Sequence, residues 1–169
     1  MDADALRALQ APPKERYKQD PNAALVTLSA QGTVDDARVA CKVETGRALA
    51  IAGLHPATGG TGAELCSGDM LLEALVACAG VTLKAVATAL EIPLRAATVR
   101  AEGDIDFRGT LGVDKTAPVG FRAIRLAIAV DTDAPQEMLD KLLKLTERYC
   151  VVFQTLAGQP QLSAKLARV

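Results

Sequence analysis

Cys78 and Cys150 are the residues whose type and setting most readily do chemistry. Cys78 lies deep in a long apolar helical run, Leu71 to Gly80, and Cys150 ends a second one after Thr146-Glu147-Arg148-Tyr149. The chain has one histidine, His55, which leaves few routes to acid–base work near neutral pH. A thiol that ionises to a thiolate is then the best nucleophile on offer. His55 stands in the glycine-rich loop His55 to Gly62, a setting for an exposed polar residue more than for a general base, and no Gly-Lys-Ser/Thr follows to make a phosphate loop. No metal site is expected, because a second histidine is lacking and the cysteines do not have ligand spacing.

The four cysteines, Cys41, Cys66, Cys78 and Cys150, are irregularly spaced, unlike zinc knuckles or disulfide frameworks, so they should rest as thiols in a reducing compartment. Cys41 reads as core, since a free cysteine packs as a small hydrophobe. Cys66 stands just before a helix start, where backbone N–H groups can stabilise a thiolate. A plain loop thiol and a redox role both stay open for it. On residue chemistry alone, Cys78 and Cys150 could likewise each be a packing residue.

The elements that must position these thiols come from a chain of 169 residues, long enough for one domain with a substantial core and short for two. A single domain over 1–169 is expected, with 1–23 as an N-terminal lead-in. Half the residues are hydrophobic and only 3% aromatic, so the core is built from Ala, Val, Leu and Ile, and base-stacking surfaces are disfavoured. Lys and Arg number 19 against 20 acidic residues, which gives no electrostatic reason to expect nucleic acid or an anionic membrane as partner. The acidic start Met1-Asp2-Ala3-Asp4 lacks the pattern of a secretory signal, so a cytoplasmic location is expected. Glu73, Lys84 and Glu91 interrupt the most hydrophobic segment, which favours a soluble protein over a membrane span.

A short helix is predicted over Asp2 to about Gln10, stopped by Pro12-Pro13. Three β-type stretches follow, Leu25 to Leu28, Arg38 to Val43 and Ala48 to Ile51, separated by turn signals at Gly32 to Asp36 and Glu44 to Gly46; they predict an antiparallel meander. Ser67 is placed to cap a helix that runs to about Leu90, with Asp69 in its first turn and Pro93 closing it. At 100° per residue this helix is apolar over most of its girth, a pattern for burial on several sides, by a sheet and by a partner subunit. Val99, Ala101, Gly103, Ile105 and Phe107 alternate with charged residues through Arg108, and Ile124, Leu126, Ile128 and Val130 repeat the alternation. The pair predicts an antiparallel ribbon with one wet face and a long loop over Gly109 to Gly120. Asp133 with Gln136 resembles a capping box for a helix to Cys150, and Leu162, Ala164 and Leu166 suggest a last strand. The order reads as α+β.

The segment Gly68-Asp69-Met70-Leu71-Leu72-Glu73-Ala74-Leu75-Val76-Ala77-Cys78, followed at a distance by Glu147-Arg148-Tyr149-Cys150, resembles the OsmC/Ohr family, the osmotically induced and organic hydroperoxide resistance proteins. The resemblance runs from about Ala24 to the end. It implies an OsmC-like α+β fold, antiparallel sheets packed on a long central helix, in which two chains intertwine into a homodimer with central helices back to back. It further implies that Cys78 is the peroxidatic cysteine and Cys150 the resolving one. The thiolate attacks the terminal oxygen of an organic or lipid hydroperoxide and releases an alcohol; the sulfenic acid condenses into a Cys78–Cys150 disulfide, which an external dithiol reduces. No cofactor is needed.

Burial alone raises a thiol's pKa, so an activator is required. The family pattern uses an arginine from the early strands, held by a glutamate ten residues before the first cysteine; here that position is Gly68. Asp69 or Glu64 is a candidate for the carboxylate, and Arg47 or Arg38 for the arginine. Glu147 is a candidate to orient Cys150, and Leu75 and Phe153 to line the substrate site. Val151-Val152-Phe153 stands where the family often has Pro-Val-Ser, which marks a divergent branch. The alternatives are a non-catalytic dimer that binds a small molecule or lipid, and a redox sensor.

Overall fold

The computed structural model describes residues 2–19, 31–34, 40–44 and 49–168. Helix α2 (Ser67–Ala89) is the axis around which the rest is arranged. Its alanines and leucines favour helix, and the chain leaves it through a Schellman turn. Glu91 adopts the left-handed conformation at φ 58°, the Glu91 N–H donates to the Thr88 carbonyl at 3.1 Å, and the Ile92 N–H donates to the Ala87 carbonyl at 2.9 Å. Ile92 is thereby driven into the core beside Ala87. At the other end Cys66, not Ser67, holds the cap position and makes no side-chain capping bond. Ser67 is instead the first helical residue and is exposed.

Strands β5 (Ala96–Ile105) and β6 (Phe121–Asp131) form the expected antiparallel ribbon. Val99, Ala101, Gly103 and Ile105 face inward with Ile124, Leu126, Ile128 and Val130, while Arg125 spans the wet face to Asp104 at 2.8 Å. The register slips at Asp104/Ile105, where Ile105 pairs with Phe121 and Asp104 with Ala123. This bulge lets Phe121 and Ile124 both turn inward although they stand an odd three positions apart. The strand ends at Ile105, earlier than the alternation suggests, because the Asp106 carboxylate caps the helical turn α3 (Phe107–Thr110) by accepting from the Arg108 N–H at 3.1 Å.

Helix α4 (Gln136–Tyr149) opens at Pro135 without a side-chain cap. The capping box expected from Asp133 and Gln136 does not form, because Arg95 takes the Asp133 carboxylate and Gln136 donates to Asp140 at 2.8 Å. Cys150 breaks the helix, and a further short helix α5 (Val151–Ala157), absent from the sequence-based expectation, begins at once. The expected last strand does not form among the described residues: Leu162 and Leu166 lie in exposed chain outside any helix or strand.

The remaining sheet joins β1 (Gln31–Val34), β2 (Ala40–Glu44) and β3 (Leu49–Gly53) in an antiparallel meander, with β4 (Leu65–Cys66) parallel to β3. The first strand thus falls on the segment read as a turn, and the predicted strand 25–28 lies outside the described residues. Helix α1 (Ala3–Gln19) continues through Pro12-Pro13 where a stop was expected. Two prolines remove two intrahelical donors, a loss that a helix can absorb without ending.

Two core clusters flank α2. Leu83, Val86, Ala87, Ile92 and Leu142 pack it onto α4 and the ribbon; Leu75, Ala79 and Cys150 pack it onto the start of α5. Truncating one such buried leucine to alanine typically costs about 2–5 kcal/mol. Helix α2 is long and apolar enough to cross a membrane by length and composition, with a mean hydropathy of 1.8. Of its residues, Leu75, Ala79, Leu83, Val86 and Ala87 are buried in the two clusters.

Candidate thiol site

The site is made where the middle of α2 meets the junction of α4 and α5. Cys150 is fully buried, at 0% exposure, and its backbone (φ −74°, ψ 106°) ends one helix and caps the next. Its sulfur accepts from the Phe153 N–H at 3.5 Å. One turn earlier Thr146 is buried without penalty, because its hydroxyl donates to the Leu142 carbonyl at 2.7 Å. Cys78, half-buried on α2, packs against the same cluster, with Val99, Ala101, Ile124 and Leu126 of the ribbon and Val152, Phe153 and Leu156 of α5.

The two thiols pack in one cluster, and their environments push them in opposite directions. Burial pushes the Cys78 thiol up. The Val152 N–H, the Cys150 thiol, the Val151 N–H and the Thr82 hydroxyl all donate to its anion, and together they hold it below the ordinary cysteine range. Burial also pushes Cys150 up, and its Phe153 N–H contact does not offset that burial and the neighbouring Cys78. The pair is therefore asymmetric. Cys78 is the more acidic thiol and Cys150 the less acidic one, an arrangement suited to attack by one sulfur and capture by the other.

Beside this pair lies a cavity of about 300 Å³ lined by Leu75, Ile124, Leu126, Phe153 and Leu156, with Arg122 and Phe121 also on its wall. The sequence-based candidates Leu75 and Phe153 thus meet there. Glu147 stands one turn before Cys150, and its carbonyl accepts from the Gln154 side chain at 2.9 Å, tying α4 to α5.

The carboxylate candidates fall elsewhere. Asp69 precedes Cys78 by nine residues, which places it about 180° around α2 and about 13.5 Å along it. It lines a second cavity of about 360 Å³ with His55, Cys66, Gly68 and Phe121. Glu64 precedes β4, with its side chain over Gly53. His55 stacks on Phe107 at 4.9 Å, and its Nδ1 accepts from the Ala57 N–H at 3.0 Å. Arg38 and Arg47 lie outside the described residues, and Cys41 falls in β2. Among the described residues no cation is one of the principal groups acting on Cys78, and no group of three potential ligands could hold a metal ion. Sequence reasoning missed Thr82 and the Val151 and Val152 amides. The first had a signal in its spacing of four from Cys78; the second depended on a helix start that the sequence does not announce.

The family model described as OsmC-like protein matches residues 60–165, from the loop before β4 through both thiols and α5. The chain belongs to the OsmC-like family. The OsmC-like protein of Mycoplasma pneumoniae has a similar structure, with a TM-score of 0.65 at 16% identity, over 79% of this chain and 89% of that one. An organic hydroperoxide resistance protein of Legionella pneumophila gives 0.62 at 18% identity over 80% and 92%. One from Elizabethkingia anophelis gives 0.62 at 18% over 80% and 91%. At such identities these likenesses establish the OsmC-like α+β fold. No curated protein matches the chain.

Proposed function

We propose that this OsmC-like chain is a thiol-dependent peroxidase that reduces organic hydroperoxides to alcohols. The observation that carries the reading is the contact between two thiols of opposed acidity in one buried cluster, Cys78 held toward thiolate and Cys150 toward thiol. The Cys78 thiolate attacks the terminal oxygen of ROOH, the O–O bond breaks, and the alkoxide leaves as ROH after taking a proton, while Cys78 becomes a sulfenic acid. The Cys150 thiol attacks that sulfur and expels water, forming a Cys78–Cys150 disulfide. An external dithiol returns both to thiols and leaves as its own disulfide. No resident cofactor enters. The side of the cavity formed by Leu75, Leu126, Phe153 and Leu156 suits the hydrocarbon part of a substrate. Two of the similar structures are named as organic hydroperoxide resistance proteins, which supports the same substrate class here.

One observation favours a second reading, a redox sensor that oxidises without rapid turnover: no cation is among the principal groups acting on Cys78 in the described residues. A single assay separates the two. Reduced protein is given cumene hydroperoxide and dithiothreitol, and peroxide loss is followed for wild type, Cys78→Ser and Cys150→Ser. The peroxidase reading expects turnover by wild type, loss to background in Cys78→Ser, and at most a single turnover in Cys150→Ser. Stoichiometric oxidation of wild type without turnover selects the sensor.

A further inference from the structure

Strand β6 carries one residue that the ribbon leaves unpaired. Across the bulge Asp104 pairs with Ala123 and Ile105 with Phe121, so Arg122 is the extra residue, without a partner on β5. Counting by twos back from Ile124 would set it on the inner face, where a cation among Ile124 and Leu126 is costly. The bulge turns it to the rim instead. Arg122 is exposed, yet it lines the cavity of about 300 Å³ together with Leu75, Leu126, Phe153 and Leu156. The other arginines of the ribbon have carboxylate partners: Arg100 pairs with Glu102 at 2.6 Å, and Arg125 holds Asp104 at 2.8 Å. Asp106, just beyond β5, is held by Arg108 at 2.6 Å. Among the described residues the Arg122 guanidinium has no ion pair or hydrogen bond of its own.

We infer that this cavity takes an amphipathic monocarboxylate, its hydrocarbon chain on Leu75, Leu126, Phe153 and Leu156 and its head group on Arg122. A guanidinium presents paired N–H donors that match the two oxygens of a carboxylate, and it stays charged at any pH the protein meets. One cation balances one negative charge. A phosphate dianion would bring a second charge toward Asp104, which pairs with the adjacent Ala123. Ile124 and Leu126 share the cluster of Cys78 and Cys150, and they lie two and four residues along β6 from Arg122, a span of about 7–13 Å at the rise of a strand. A chain anchored at Arg122 therefore brings its apolar part to the thiols while its head group stays at the wet rim. In the reaction proposed above, the substrate is then a hydroperoxide that also carries a carboxylate, separated from the O–O bond by a span of that order. Arg122 sets specificity and touches no reacting atom.

The substrate class rests on the peroxidase reading, whereas the site itself is measurable without peroxide. Octanoate and 1-octanol, which share a chain and differ in charge, are titrated by calorimetry into reduced full-length wild type, Arg122→Gln, Arg122→Lys and Arg125→Gln. Wild type should bind octanoate more tightly than octanol. Arg122→Gln should weaken octanoate about fivefold, the worth of an ion pair at an exposed rim, and leave octanol unchanged. Arg122→Lys keeps the charge and should fall between, while Arg125→Gln should match wild type. If Arg122→Gln does not fold, wild type at about 0.5 M salt carries the same comparison, because screening weakens only the charged ligand. Octanoate affinity in Arg122→Gln within about twofold of wild type, octanoate bound no more tightly than octanol, or binding of neither overturns the inference. Peroxide consumption is then followed with a fatty-acid hydroperoxide and its methyl ester, where Arg122→Gln should raise KM for the acid, leave its kcat unchanged and leave the ester unaffected. Octanoate binding that depends on Arg122, in a protein that consumes neither hydroperoxide, keeps the site and removes the peroxidase. Equal kcat/KM for acid and ester without octanoate binding keeps the peroxidase and removes the site.

Discussion

At the scale of single residues, the same burial acts on two thiols and yields opposite outcomes because the donors around them differ. Cys78 collects two amides, a thiol and a hydroxyl, whereas Cys150 has the Phe153 amide and a neighbour that is itself becoming anionic. The candidacy of both cysteines was legible in the sequence, since Cys78 centres an apolar run and Cys150 ends a helical one. Their acidities were not, because they depend on which backbone N–H groups face the sulfur. Gly103 is another case where the strand pattern is readable and the contact is not. A Cβ there would lie 2.4 Å from the Phe121 ring. Gly103→Ala should therefore displace that ring and destabilise the chain by about 1–3 kcal/mol, read from the midpoint of urea unfolding. An unchanged midpoint would show that Phe121 moves freely and does not rest on Gly103.

At the scale of elements, the long helix and the β5–β6 ribbon were legible because each carries a sustained period over ten or more residues, 3.6 in one and 2 in the other. What escaped were features decided by competition between partners. Asp133 has the spacing of a cap, yet Arg95 offers it a stronger, charged partner. Helix α5 has only seven residues, too few for a period to emerge, and its start is set by the turn at Cys150. That turn nevertheless delivers the Val151 and Val152 amides to Cys78. Asp69, one residue on from the position where the family pattern has its glutamate, stands about 100° further around α2.

At the scale of the whole molecule, α2 keeps large apolar side chains on its outer side. Val81 is 73% exposed, and Leu71 is also exposed. The sequence suggested burial of this helix on several sides, and the chain alone covers only part of it. A homodimer of the kind the family resemblance implies would cover the rest, and one test is direct. Sedimentation of wild type should give twice the chain mass at micromolar concentration, and Val81→Asp should shift it toward the chain mass. A wild type at single-chain mass would contradict the dimer.

The central claim is that Cys78 and Cys150 form one redox couple. Its most direct measurement is the reaction of reduced protein with one equivalent of cumene hydroperoxide, followed by intact mass and by peptide mapping without reductant. The account predicts a loss of two hydrogens and a single cross-linked peptide pair joining Cys78 to Cys150. An unchanged mass, a cross-link through Cys41 or Cys66, or a Cys78 that proceeds to sulfinic acid while Cys150 stays a thiol would contradict it.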